Sequence, residues 1–102
     1  MRCHYSPHTP LELTHHPEGR AATLAAMGQR VAIISHRVTG PDVTPMPADP
    51  VEYARVLYAR LHEVDLRGLD RILMTPPPDG PEWQAIHDRL RRAATWWPTP
   101  PA

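Results

Sequence analysis

Seven histidines and one cysteine are the residues of this sequence whose chemistry depends most on spacing. A zinc site normally needs three or four protein ligands at short, recognisable intervals. His4 and His8 lie four residues apart, but the prolines around them exclude the helix that would bring both onto one face. Cys3 stands alone, without the second cysteine of a CxxC pair. The spacing therefore predicts no metal site.

Four of the five other histidines have structural interpretations. His15 and His16 fall between a predicted strand and a predicted helix, where an N-cap or surface role is expected. His62 is expected to be exposed at the edge of its helix. His87 falls on the apolar face of the last predicted helix, which favours a packed, hydrogen-bonded imidazole over a functional one.

Phosphate cradles and activated nucleophiles also depend on spacing. The five glycines are scattered, so neither GxGxxG nor GxxxxGK is present. The two serines, Ser6 and Ser35, do not lie in a GxSxG turn. These patterns argue against dinucleotide, P-loop and serine-hydrolase chemistry.

The densest run of charge is the segment 88–92, DRLRR. Asp88 can pair with the arginines three and four residues further along, so a solvated helix face is the simplest interpretation. Arginines also suit carboxylate and phosphate partners. Arg89 and Arg92 are therefore candidate docking or anion contacts.

Composition limits the class of protein. The 102 residues fit one domain, and eleven arginines balance eleven acidic residues, so general nucleic-acid binding is not expected. The longest apolar runs, Leu24–Met27 and Val31–Ile34, are far shorter than the roughly 20 residues of a membrane span. A secretory signal is not apparent, and the lone cysteine cannot form an internal disulfide, so the expected compartment is the cytoplasm.

Strands alternate with helices along the chain. Strands are predicted at 11–14, 31–35 and 71–75, with a short edge strand near 43–46, and helices at 18–27, 50–67 and 83–95. Asp49 and Asp79 are the predicted caps of the second and third helices. The alternation predicts a small α/β domain with a mainly parallel sheet flanked by helices, and one shared core that includes Leu61 and Leu73.

Three segments together resemble a known family: HYSPHTPLEL at the start, DPVEYARVLYARLHEVDLRGLDRILMTPPP in the middle and EWQAIHDRLRRAA near the end. Their order and spacing are similar to the C-terminal domain of two-domain threonylcarbamoyl-AMP synthases over roughly residues 4–95. The resemblance implies a Rossmann-like, three-layer fold. It divides the chain into a linker-like arm (1–10), the domain itself (11–95) and a proline-rich tail (96–102).

The resemblance also implies a partner. In that family a YrdC-like catalytic domain makes L-threonylcarbamoyladenylate from threonine, bicarbonate and ATP, for the modification of tRNA. The sequence does not include that domain, so no cofactor is expected for the isolated chain. His4, Tyr5 and Pro7 match the family's linker motif, which lies over the catalytic cleft as a lid.

Two classes of function follow. One is an accessory or regulatory domain that works beside a YrdC-like domain, in cis or in trans, without direct nucleic-acid or membrane binding. The other is a freestanding small-ligand or protein-binding module. A truncated remnant that merely folds is the third possibility.

Overall fold

The fold is known from a computed structural model, which describes residues 8–94. In chain order the elements are β1 (Leu11–Leu13), α1 (Pro17–Ala26), β2 (Val31–Ser35), β3 (Val43–Pro45), α2 (Pro50–Asp65), β4 (Arg71–Met74), a 3₁₀ turn (Pro81–Trp83) and α3 (Gln84–Ala93). The predicted strands and helices are all present, with ends that agree to about two residues. The first seven residues of the predicted arm and the whole predicted tail lie outside the described residues.

The four strands form one parallel sheet in the order β1-β4-β2-β3. The central strand β4 pairs through Ile72 with Leu11 of β1 on one side and with Ala32 of β2 on the other. Central strands of a parallel sheet are covered on both faces, which explains why β2 and β4 are nearly continuous apolar runs. The structure confirms the predicted α/β class and the parallel sheet.

Helices cover both faces of the sheet. On one face, Leu24 of α1 packs with Ile33 and Leu73. On the opposite face, α2 and α3 pack through buried side chains that include Leu57, Leu61, Ile86 and Leu90. The prediction of one shared core was therefore wrong for Leu73. Successive residues of a strand point to opposite faces, so Ile72 and Leu73 belong to different layers.

Local sequence explains where the first two helices begin and end. Asp49 caps α2, because its carboxylate accepts a hydrogen bond from the Glu52 N–H at 3.0 Å. Gly28 follows the C-cap of α1, and its φ of +84° suits a residue without Cβ. That turn lets the Gln29 N–H donate to the Leu24 carbonyl at 3.0 Å, which closes the last turn of the helix.

The third helix begins differently from its prediction. Asp79 was expected to cap it, but the chain enters through the 3₁₀ turn, with Gly80 at the N-cap position and no side-chain cap hydrogen bond. Gly80 has a φ of +133°, and a Cβ there would lie 2.9 Å from a Glu82 carboxylate oxygen. The residue directly before the first helical proline occupies the cap position, and here that residue is Gly80 rather than Asp79.

None of the described helices is long and apolar enough to cross a membrane.

Candidate functional site

The carboxyl ends of three neighbouring strands meet at one edge of the sheet, and the candidate site lies there. His15 follows β1, His36 and Arg37 follow β2, and the run 76–78 follows β4. The chain leaves β1 for α1 on one face and leaves β4 for α3 on the other. Adjacent strands whose connections go to opposite faces leave a crevice at this edge, which is where open α/β sheets bind ligands.

Ser35 and Thr75 fix the two strand ends that line the crevice. Both side chains are buried, and their hydroxyl oxygens lie 2.8 Å apart across β2 and β4. The Ser35 hydroxyl also accepts the backbone N–H groups of Arg37 and Val38, at 3.0 and 3.1 Å. These two bonds use both lone pairs of the oxygen, so the Ser35 hydroxyl donates to Thr75. Ser35 therefore holds the loop that carries His36 and Arg37, consistent with its lack of a nucleophile motif.

A rigid wall of prolines follows β4. Pro76 and Pro77 are buried, and Pro78 is partly buried. The Pro78 carbonyl lies 2.9 Å from Nε2 of His87 on α3. A carbonyl oxygen only accepts hydrogen bonds, so His87 donates from Nε2 and ties α3 to the wall. The expectation that His87 is packed and hydrogen-bonded is confirmed.

His36 connects the crevice to a buried aromatic group. Its ring packs against that of Tyr53 in a T-shaped arrangement with the centroids 6.3 Å apart, and Tyr53 packs in the same way against Trp83 at 5.2 Å. Burial, and secondly the charge of Arg37, lower the pKa of His36 below its ordinary value. Burial also raises the pKa of the Tyr53 hydroxyl. His36 Nδ1 and the Tyr53 hydroxyl are buried without a hydrogen-bond partner among the described residues.

Helix α3 presents one polar stripe to the crevice. Gln84, His87 and Arg91 follow three- and four-residue spacing and share one side of the helix. The apolar side of the same helix carries Ile86 and Leu90 into the core. The helix thus packs on the sheet and turns its polar stripe toward the strand ends.

These elements enclose a pocket of about 560 Å³. Its charged lining consists of two guanidinium groups, from Arg37 and Arg91, and one carboxylate, from Asp79. Three imidazoles also line it, from His15, His36 and His87. The volume falls in the range of small-molecule sites, and the excess of hydrogen-bond donors suits an anion.

The three imidazoles do not form a metal site. Within residues 8–94, no three side chains of His, Cys, Asp or Glu come close enough together to hold a metal ion. His15 and His16 are exposed, and His16 occupies the N-cap position of α1 without a side-chain cap bond. His62 is exposed on α2, as expected.

The other predicted site residues fall elsewhere. His4, Tyr5 and Pro7 of the linker motif lie outside the described residues. Arg89 is partly buried and Arg92 is exposed on α3, and neither lines the pocket. Their role as docking or anion contacts stays a prediction. The arginine of this segment that reaches the pocket is Arg91, which also lies 3.7 Å from Asp88.

The sequence reasoning missed His36, Arg37 and Arg91 as site residues. A signal for the first two was present, since they directly follow a predicted parallel strand and strand ends of this kind share one edge. For Arg91 the signal was its spacing from Gln84 and His87.

The chain belongs to the family described as the threonylcarbamoyl-AMP synthase C-terminal domain, whose family model matches residues 1–95. This match confirms the resemblance in the three segments and includes the linker motif. The α/β fold with its parallel sheet agrees with the Rossmann-like fold that the resemblance implied. No curated protein and no solved structure matched the chain.

Proposed function

We propose that this chain is an accessory domain of an L-threonylcarbamoyladenylate synthase, linked to threonylcarbamoyladenosine modification of tRNA. The family match over residues 1–95 is the observation that carries the proposal. In this proposal the chemistry belongs to a YrdC-like catalytic domain, present in cis or in trans, which uses ATP, threonine and bicarbonate. The chain contributes by binding and positioning and acts in the cytoplasm.

The residues themselves support a non-catalytic role. The sequence contains no lysine and no glycine-rich cradle for a triphosphate. The buried hydroxyl of Ser35 at the end of β2 is engaged in holding a loop and has no base beside it that would activate it as a nucleophile among its hydrogen-bond partners. The site can bind and orient a ligand, but it lacks groups placed to transfer a nucleotidyl group.

The linker motif supports a partner domain. The last residues of the arm are anchored to the domain, because the N–H groups of His8 and Thr9 donate to the Asp65 carboxylate at 3.0 and 2.8 Å. The Pro10 carbonyl then accepts the Ile72 N–H at 2.9 Å. This anchor lies at the amino edge of the sheet, opposite the pocket. We propose that His4, Tyr5 and Pro7 act as a lid over the partner's cleft, away from the pocket of this domain.

A freestanding small-ligand-binding module is the second candidate. The observation in its favour is the pocket at the carboxyl edge, which is formed entirely by this chain. The two candidates differ in whether a catalytic domain accompanies the chain.

Purification from the native cell distinguishes the two candidates. The chromosomal copy receives a C-terminal affinity tag, and mass spectrometry identifies the tagged polypeptide and the proteins bound to it. We expect either a longer tagged polypeptide that contains a YrdC-like domain, or this chain bound to a separate YrdC-like protein. The same tag on an unrelated small α/β protein controls for background. A tagged polypeptide of this length that co-purifies with no YrdC-like protein would contradict the accessory role.

A further inference from the structure

The carboxyl-edge pocket collects hydrogen-bond donors from several independent parts of the fold. Arg37 comes from the end of β2, His15 from the end of β1, and Arg91 from α3. A carboxylate has two coplanar oxygens that one guanidinium can satisfy. Donors that converge from different elements instead match a tetrahedral oxyanion, which offers acceptors in several directions.

Arg37 is the clearest cation of this pocket. It is exposed and makes no ion pair within residues 8–94. By contrast, Arg20 of α1 and Arg71 of β4 both bind Glu12, at 2.8 and 2.6 Å. The backbone of Arg37 is held by Ser35, so its guanidinium stands beside the pocket on a fixed loop.

The rest of the lining indicates what accompanies the anion. Asp79 and Gln84 offer oxygen acceptors that suit hydroxyl groups, and a carboxylate would repel a ligand that is anionic throughout. The proline rings supply a rigid apolar wall. A volume of about 560 Å³ exceeds what inorganic phosphate alone requires. The complementary ligand is therefore charged at one end and hydroxylated at the other.

We propose that this pocket binds the phosphate group of a small hydroxylated phosphate ester, a sugar phosphate or a mononucleotide. Arg37 and Arg91 bind the phosphate oxygens, His15 adds a hydrogen bond, and Asp79 with Gln84 accepts from the sugar hydroxyls. The proposal rests on residues 8–94 and is independent of any catalytic domain. Its failure would leave the accessory role untouched.

Isothermal titration calorimetry of the full chain tests the proposal with four probes: inorganic phosphate, ribose 5-phosphate, adenosine monophosphate and uncharged ribose. We expect both esters to bind more tightly than inorganic phosphate, ribose not to bind, and affinity to fall with added salt. The comparison of the two esters identifies which source of phosphate the pocket prefers.

Matched arginine variants locate the binding site. Arg37→Gln and Arg91→Gln should each lower the affinity for the tighter-binding ester by about tenfold or more, since each removes a charge-assisted hydrogen bond. The control is Arg67→Gln, which removes an exposed arginine that makes no ion pair within residues 8–94 and lies at the opposite edge of the sheet; it should leave affinity unchanged. Melting temperatures confirm that each variant is folded. Because Arg91 neighbours Asp88, Arg37→Gln carries the test if the Arg91 variant is unstable.

Three results would overturn the proposal. The first is the absence of binding by either ester at low salt. The second is equal loss of affinity in the Arg37 and Arg67 variants. The third is binding of a short oligoribonucleotide without binding of ribose 5-phosphate, which would indicate a nucleic-acid surface.

Discussion

At the scale of single residues, the surroundings of His36 determine its protonation state. It directly follows β2 and stands between the exposed guanidinium of Arg37 and the buried ring of Tyr53. Burial is the main factor that disfavours the imidazolium form, and the charge of Arg37 adds to it. His36 is therefore a neutral polar group in the folded chain at neutral pH.

This protonation state has a consequence for stability. The pKa of His36 is lowered in the folded state relative to its ordinary value of 6.5, so the unfolded state binds the proton more readily. Stability from this residue is present above the unfolded pKa and is lost as the pH falls toward the folded pKa. Between about pH 7.5 and about pH 5.5, the melting temperature of the wild type should therefore fall further than that of His36→Gln.

Thermal unfolding at both pH values measures the difference. His16→Gln, which removes an exposed imidazole, serves as the control, and its melting temperature should fall as much as that of the wild type. An equal loss in the wild type and His36→Gln would show that the imidazole of His36 is not disfavoured as a cation in the fold.

The residues of the site could be predicted only in part. The strand ends that carry His15, His36 and Arg37 follow from the predicted strands. Which arginine of segment 88–92 reaches the pocket depends on helical phase, because neighbouring residues differ by about 100° around the axis. The packing of Ile86 and Leu90 on the sheet fixes that phase and turns Arg91 to the pocket.

At the scale of elements, the two proline-containing helix starts show how one position changes a cap. In Asp49-Pro50 the acidic residue stands directly before the proline and caps α2. In Asp79-Gly80-Pro81 a glycine stands there, and the helix begins through a 3₁₀ turn. The apolar spacing predicts that both helices are present. How each helix begins depends on the residue directly before its proline.

The two aspartates should accordingly differ in their effect on stability. Asp49→Ala should lower the free energy of unfolding by about 1 kcal/mol, because the Glu52 N–H loses its acceptor. Asp79→Ala should change it by less than about 0.5 kcal/mol, the ordinary scale for surface substitutions. Urea denaturation of the two variants beside the wild type measures both values. A larger loss for Asp79→Ala than for Asp49→Ala would contradict this assignment of the caps.

Strand order could not be predicted from the sequence. β2 and β4 are both short, apolar runs that fit a strand covered on two faces. The sequence of such a run does not indicate which strand lies beside it, because the hydrogen bonds between parallel strands join backbone groups. Contacts between distant residues decide the order, as when Glu12 of β1 binds Arg71 of β4.

At the scale of the whole molecule, two opposite edges of one sheet carry separate features. The amino edge anchors the end of the linker through Asp65 and Ile72. The carboxyl edge holds the pocket that Arg37 and Arg91 line. In the proposed accessory role, a ligand occupies this pocket while the linker serves a partner domain. This arrangement fits an accessory domain that binds its own ligand and takes no part in the transfer chemistry.

The most direct measurement is the rate of threonylcarbamoyl-adenylate formation from ATP, threonine and bicarbonate. Four purified samples are compared: a YrdC-like catalytic domain alone, this chain alone, the chain fused behind the catalytic domain, and that fusion with His4→Ala and Tyr5→Ala. We expect no product from the chain alone and a higher rate from the fusion than from the catalytic domain. The double variant should lower the fusion's rate without changing its melting temperature. Product from the chain alone, or equal rates with and without the chain, would contradict the accessory role.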